Sequence, residues 1–164
     1  MSRLAEQPAR LDAGHYPARF SYRSVYSDMD TNRHLNNGTF GRLFEEGRVG
    51  LNHRVFGGLA ASGTAGGSTL LLATITMEFL REGRYPGSME IATAVTRAGQ
   101  SSFGLAQAAF QDGACVALAD CVMVKAARDP GVGPVPLTEA EREALARLAF
   151  RRPSARMKMK GVAG

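Results

Sequence analysis

Asp30-Thr31-Asn32-Arg33-His34-Leu35-Asn36-Asn37 sets one acid, one imidazole and three amides within eight residues. Directly behind it Phe40, Leu43, Phe44, Gly47, Leu51 and Val55 recur with helical spacing and form one apolar stripe. Asn36 or Asn37 is a good N-cap, and Gly57-Gly58 ends the helix. Ionisable groups therefore sit beside the unsatisfied N–H groups and the positive end of a helix dipole. Such a site polarises a carbonyl while a carboxylate attacks it or activates water. Gly47 inside the stripe costs up to about 1 kcal/mol of helix propensity, which close approach of the helix to a sheet would explain.

Working outward, Phe20–Ser27 alternates and predicts a first strand. Residues 57–68, rich in Gly, Ala and Ser, read as a flexible connection with no Walker pattern. Leu70–Arg81 then takes a period of two, with Leu71, Ala73, Ile75, Met77 and Phe79 on one face. Tyr85-Pro86-Gly87 turns the chain, Met89–Arg97 alternates, and Ala98-Gly99-Gln100 turns it again. Ser101–Gln111 and Ala114–Ala126 flank Asp112-Gly113, a strong hairpin signal. In the last strand Asp120 shares a face with Val116, Leu118, Val122 and Val124, so either the register slips or the acid lies at an interface. After the Pro/Gly break at 128–136, Thr138-Glu139-Ala140-Glu141 matches a capping box and opens a helix to about Phe150. The order predicts an antiparallel sheet curled around one helix. One helix cannot cover both faces of that sheet. The other face, or an edge strand, is left for a partner chain, which predicts a homodimer.

The 164 residues suit one domain, residues 19–150, with a loose lead-in at 1–18 and a basic tail at 151–164. The start lacks the apolar core of a secretory signal, and the longest aliphatic run, Leu70–Ala73, is too short to span a bilayer. The expected location is the cytoplasm. The formal charge of +5 resides wholly in the tail (Arg151, Arg152, Arg156, Lys158, Lys160), which reads as a solvated end. No aromatic residue interleaves those charges, so no nucleic-acid partner is expected. Cys115 and Cys121, six apart, fall on one face of a strand, too distant to bridge, and read as small buried residues. No Cys or His cluster has metal-ligand spacing, so no metal is expected. No Gly-x-Ser-x-Gly elbow is present, which disfavours a serine hydrolase.

Tyr26-Ser27-Asp28-Met29-Asp30, His34-Leu35-Asn36-Asn37, Phe40 and Phe44-Glu45-Glu46-Gly47-Arg48 together resemble the hotdog-fold thioesterases of the 4-hydroxybenzoyl-CoA thioesterase type. The spacing Asp30-x-Asn32-x-His34-x-Asn36-Asn37 also resembles the acyl-acyl-carrier-protein thioesterases of plants. The likeness spans residues 20–126 in element order and is most specific over 26–48. It implies an α+β hotdog fold, an antiparallel β-sheet wrapped around one central helix, here with a C-terminal helix added. It also implies dimers or tetramers of dimers, and metal-free hydrolysis of an acyl thioester. No cofactor is implied beyond the coenzyme A or phosphopantetheine of the substrate, carried free or on an acyl-carrier protein.

Under that resemblance Asp30 falls on the catalytic carboxylate, as nucleophile or general base, and Asn32 and His34 on its polar partners. Asn37 supplies a helix-start N–H to the thioester carbonyl, while Asn36 caps the helix; Asn36 and Gly38 are expected near substrate. Ser101 and Ser102 fall near the thioester or pantetheine arm, or are ordinary turn residues. Glu45 is the reserve catalyst, since a helix carboxylate acts in another branch of the superfamily; a solvated helix face is its other reading. Arg33 stands where many relatives have Gly and would narrow the pocket or bind an anionic carrier. Gly41 stands where relatives carry a larger apolar residue and would widen the acyl tunnel. Two rival functions are a hydratase or dehydratase on the same fold, and a non-catalytic acyl- or carrier-binding module.

Overall fold

The apolar stripe behind the Asn pair becomes α1, Asn37–Phe56, in a computed structural model that describes residues 4–57, 67–129 and 131–151. Asn36 is the N-cap: its Oδ1 accepts the Gly38 N–H at 2.7 Å. Gly57, at φ 76°, closes the helix in the left-handed conformation that glycine adopts without a steric penalty. Phe40, Leu43, Phe44, Gly47 and Leu51 are buried beneath it. Gly47 is explained by crowding: a Cβ there would stand 2.8 Å from Thr93 Oγ1 and 2.9 Å from Gln107 Nε2. Gln107 Nε2 donates to both the Phe44 carbonyl and Thr93 Oγ1, tying helix to sheet at the point of nearest approach.

The sheet holds β1 (Ala18–Arg23), β2 (Ser68–Phe79), β3 (Ser88–Ala98), β4 (Ser102–Gln111) and β5 (Ala114–Ala127) in the order β1-β3-β4-β5-β2, every pair antiparallel. Asp112 (φ 51°) and Gly113 (φ 77°) make the tight β4–β5 hairpin turn with both central residues at positive φ. This is the α+β hotdog arrangement expected. The first strand corrects the prediction at its end. It stops at Arg23, and Tyr26–Asp28 coils into a 3₁₀ turn held by the Val25 N–H donating to the buried Asp28 carboxylate.

Two bulges revise which side chains share a face. In β2 the pairing jumps between Leu72 and Thr74, so Ala73 is an extra residue. Leu70 packs on the same cluster as Ile75, whereas Leu71 stays 51% exposed, and the expected stripe from Leu71 to Phe79 is split. In β5 the pairing jumps from Ala117 to Cys115, leaving Val116 extra. Cys115 therefore joins the cluster beneath the N-terminal segment and Cys121 the cluster under the helices, on opposite faces rather than one. Both thiols are free and buried, and burial pushes each up to about 11.

The sheet face away from α1 is built of Ala92, Ala94, Ala106, Ala108, Phe110 and Leu118. It is covered from within the chain. Residues read as a loose lead-in form short 3₁₀ turns at Pro8–Leu11 and Ala13–His15 and lay the buried Tyr16 and Arg10 on that face. Arg10 Nη1 meets Asp120 Oδ1 at 2.7 Å, and Arg10 Nη2 donates to the Ala119 carbonyl at 3.0 Å. The acid that disturbed the apolar pattern of β5 is thus the counter-charge of the N-terminal segment; the register does not slip there.

The C-terminal helix, α2, spans Glu139–Arg147 behind the Thr138/Glu141 capping box. It ends before the predicted Phe150 because residues 148–150 run alongside β3, exchanging backbone hydrogen bonds with Val95. Phe150 instead packs edge-on against Tyr16, ring centroids 5.0 Å apart. The glycine-rich connection at 58–66 and the basic tail from 152 onward lie outside the described residues.

Candidate active site

The cleft that holds Asp30 is assembled from three places in the fold. The turn before α1 contributes Asp30, His34 and Asn37; the end of β2 and the stretch after it contribute Phe79, Arg81, Glu82 and Arg84; the β4–β5 hairpin contributes Gln111 and Asp112. These surround an open groove of about 750 Å³ with Phe40 and Val116 in its wall.

Asp30 organises the turn through one oxygen. Its Oδ1 accepts the Asn32 N–H at 2.8 Å and the His34 N–H at 3.2 Å. The backbone closes the same loop, with the Asp30 N–H donating to the His34 carbonyl at 2.8 Å and the Arg33 N–H to the Asp30 carbonyl at 3.1 Å. Oδ2 has no partner among the described residues. Arg33 takes φ 64°, a conformation that suits glycine. Its side chain is exposed and lines none of the described cleft.

His34 does not bond Asp30 through its ring. Its Nε2 lies 3.1 Å from Glu82 Oε2, and Arg84 approaches the same carboxylate oxygen at 3.5 Å. Glu82 was missed from sequence. Its one signal was the charged run Arg81-Glu82-Gly83-Arg84 between a strand and a turn, which reads equally well as solvated loop. Gln111 was also missed. Its Oε1 accepts the Arg84 N–H and its Nε2 donates to the Arg84 carbonyl, both at 2.8 Å, clamping that segment to the hairpin.

Asn37 is the first residue of α1, so its N–H has no intrahelical acceptor, and it lines the same groove as Asp30. Asn36 and Gly38 instead line a neighbouring hollow of about 540 Å³ with Tyr22, Thr39 and Arg42, and the Gly38 N–H is already taken by the cap. In that hollow the buried Asp28 accepts from the Tyr22 hydroxyl and pairs with Arg42, each at 2.8 Å, and the Asn36 N–H donates to the Asp28 carbonyl at 2.7 Å. Asp28 therefore shapes the loop rather than the groove. Asn32 contributes its backbone N–H only; its side chain is exposed and makes no described contact.

Ser101 precedes β4 and Ser102 begins it, whereas Gln111 at the groove ends it. Nine residues of strand separate the two places, about 30 Å, so one chain does not bring these serines to Asp30. Glu45 is exposed on α1 and lies outside the groove lining. Among the described residues no group of three His, Cys, Asp or Glu side chains is placed to hold a metal ion. No described helix is long and apolar enough to cross a membrane.

Residues 25–148 match the thioesterase-like superfamily. No curated protein matches the chain. Among solved structures, the PA5185 protein from Pseudomonas aeruginosa strain PAO1 is similar at 25% identity and a TM-score of 0.74, covering 85% of this chain and 96% of that one. A 1,4-dihydroxy-2-naphthoyl-CoA thioesterase from Synechocystis is similar at 17% identity and 0.71, covering 79% and 96%. A thioesterase from Thermus thermophilus, solved with coenzyme A and Zn, is similar at 23% identity and 0.68, covering 79% and 98%. At their identities the last two speak to the fold alone.

Proposed function

Since the chain belongs to the thioesterase-like superfamily, we propose that it hydrolyses an acyl thioester to the free acid and a thiol, with Asp30 as the carboxylate that acts on the carbonyl. The observation that carries this reading is that Asp30 and the uncapped N–H of Asn37 line one groove. A carbonyl oxygen resting on that N–H gains the positive end of α1 as negative charge develops on it. Asp30 Oδ2, the oxygen left over from the turn, either attacks the carbonyl carbon or takes a proton from a water that does. The tetrahedral intermediate then collapses, the C–S bond breaks, and the thiolate leaves to be protonated; with water as the attacking group the acid forms directly, and with Asp30 as the attacking group a water then cleaves the acyl–Asp30 anhydride to release the acid and restore the carboxylate.

His34 stands in the groove with its ring fixed by Glu82, and handles the proton passing to the leaving sulfur. Glu82 acts through His34 as a positioning residue. The thioester is one of coenzyme A or of an acyl-carrier protein, and no further cofactor enters. The proposed assembly is a homodimer, or a tetramer of dimers, formed along β2. That strand is an edge of the sheet, with Leu71 51% and Leu72 43% exposed. The proposed setting is the cytoplasm.

The test is a panel of saturated acyl-CoA, enoyl-CoA and acyl-carrier substrates, following free thiol. Thiol release from a saturated substrate is expected. Consumption of the enoyl double bond without thiol release would instead favour a hydratase, and no turnover on any substrate would favour a binding module.

A further inference from the structure

Residues 80–87, which join β2 to β3 and carry Glu82, form neither helix nor strand, yet their backbone is pinned at four points. The carbonyl of the bulged Val116 accepts the Leu80 N–H at 2.8 Å and the Arg81 N–H at 3.1 Å. The Gly83 carbonyl accepts the Leu35 N–H at 2.8 Å. Gln111 holds Arg84 at both its N–H and its carbonyl. The Gly87 carbonyl accepts the Ser24 N–H at 3.0 Å and the Ser24 hydroxyl at 2.9 Å.

Three of these pins use a backbone group of the anchoring residue; the one at Arg84 is made by a side chain alone. Gln111 is buried, and both ends of its amide are engaged by Arg84. Glycines make the room: a Cβ at Gly87 would overlap Gln111 Nε2, and one at Gly83 would stand 2.9 Å from Leu35 Cδ1. Glu82 lies between the Val116 and Gln111 pins. Its carboxylate meets His34 Nε2 at 3.1 Å although the two side chains are 52% and 37% exposed. So open an ion pair is held only weakly by its own attraction. The fixed backbone beneath it supplies the placement that the charges do not.

We infer that Gln111 is a positioning residue for His34. It fixes Arg84, through Arg84 the carboxylate of Glu82, and through Glu82 the ring that hands a proton to the leaving sulfur. The inference rests on the thioesterase reading and adds to it a residue of the β4–β5 hairpin that touches neither substrate nor imidazole. A proton donor displaced from its productive geometry loses much of its effect on rate while substrate binding is retained. The role is separable from folding. Arg84 is exposed, so water can take over its N–H and carbonyl when the amide is removed, and methionine fills the place of the buried glutamine chain.

The test compares the full chain with Gln111→Met, Glu82→Gln and the Gln111→Met/Glu82→Gln double variant, each checked by thermal unfolding. One readout is the His34 ring signals in NMR, assigned among the chain's three histidines with His34→Gln. The other is steady-state thiol release from a saturated acyl-CoA and from the S-phenyl thioester of the same acid. Gln111→Met is expected to move the His34 signals in the direction that Glu82→Gln moves them. It should lower kcat on acyl-CoA about tenfold or more, with KM held within about twofold. On the phenyl thioester, whose thiolate leaves without help from an acid, the loss should stay below about threefold. Added to Glu82→Gln, Gln111→Met should lower kcat no further, because both act through one carboxylate. Gly87→Ala is a second route, since its methyl displaces the Gln111 amide, and should reproduce Gln111→Met. The inference is overturned if folded Gln111→Met keeps the wild-type His34 signals and kcat. It is also overturned if the loss adds in full to that of Glu82→Gln or falls equally on both thioesters, as for a merely structural residue. Failure of both Gln111→Met and Gly87→Ala to fold overturns it too, since Gln111 would then hold the fold rather than the ring. Failure of the thioesterase reading has a different signature: neither thioester is hydrolysed by the wild type, while the His34 signals still move together in Gln111→Met and Glu82→Gln.

Discussion

At the scale of single residues, the turn before α1 uses one oxygen of Asp30 for structure and leaves the other for the proposed chemistry. Asp30 spends Oδ1 on the Asn32 and His34 N–H groups and leaves Oδ2 over. Structural and chemical readings of an acid in a turn are usually rivals; here they fall on different oxygens. The spacing Asp30-x-Asn32-x-His34 was legible in sequence, but its partner Glu82 was not. Forty-eight residues separate His34 from Glu82, and only the folded β2–β3 connection puts the carboxylate 3.1 Å from the ring. The two cysteines show the opposite case. Their burial was legible from composition and their separation onto two faces was not, because the Val116 bulge leaves no mark in hydropathy. With burial pushing both thiols up to about 11, the native protein should not react with a disulfide reagent at pH 8, and should yield two thiols once unfolded. The unfolded chain releases those protons first, near the ordinary value of 9.0, so stability should fall as pH climbs from about 9 to 11. A rapid native reaction at pH 8 would contradict the burial.

At the scale of elements, α1 is set against the sheet by what a glycine leaves out. The poor helix propensity of Gly47 was visible in the stripe, and the reason becomes visible only with Thr93 and Gln107 beneath it. Gly47→Ala gains helix propensity on paper yet is expected to destabilise the fold by about 1–3 kcal/mol, since the added methyl displaces a hydrogen-bonded pair. Denaturant titration checks the sign; a stabilised variant would show that the helix can lift without cost. The N-terminal segment is the element sequence reading described least well. Polar composition made it look loose, but Arg10 and Tyr16 carry it onto the second sheet face, anchored at Asp120. Asp120→Ala leaves the Arg10 guanidinium buried without its counter-charge. Because the Asp120 side chain is 44% exposed, the expected loss is about 2 kcal/mol, below the 3–5 typical of a fully buried pair.

At the scale of the whole molecule, the sheet has its two faces and its two edges treated differently. α1 and α2 cover one face, and the chain's own N-terminal turns cover the other. That removes one of the two reasons that sequence offered for a partner chain. The remaining reason is the β2 edge, where Leu71 and Leu72 stand open. If the proposed dimer forms along it, the wild type should have at least twice the mass of one chain in solution. Leu71→Glu/Leu72→Glu should then reduce it toward one; an unchanged mass for the variant would place the contact elsewhere. The succession of strands and helices along the chain and the hairpin at Asp112-Gly113 were legible because period-two hydropathy and turn residues are local signals. Faces, bulges and the cover of the second face depend on contacts distant in sequence.

Asp30→Asn isolates the charge of the carboxylate proposed to act on a thioester beside the start of α1. The amide oxygen can still accept the Asn32 and His34 N–H groups, so the turn and the melting temperature should hold. Steady-state thiol release from the best acyl-CoA of the panel should then fall by about 100-fold or more. A folded Asp30→Asn protein that turns over at the wild-type rate would contradict the mechanism.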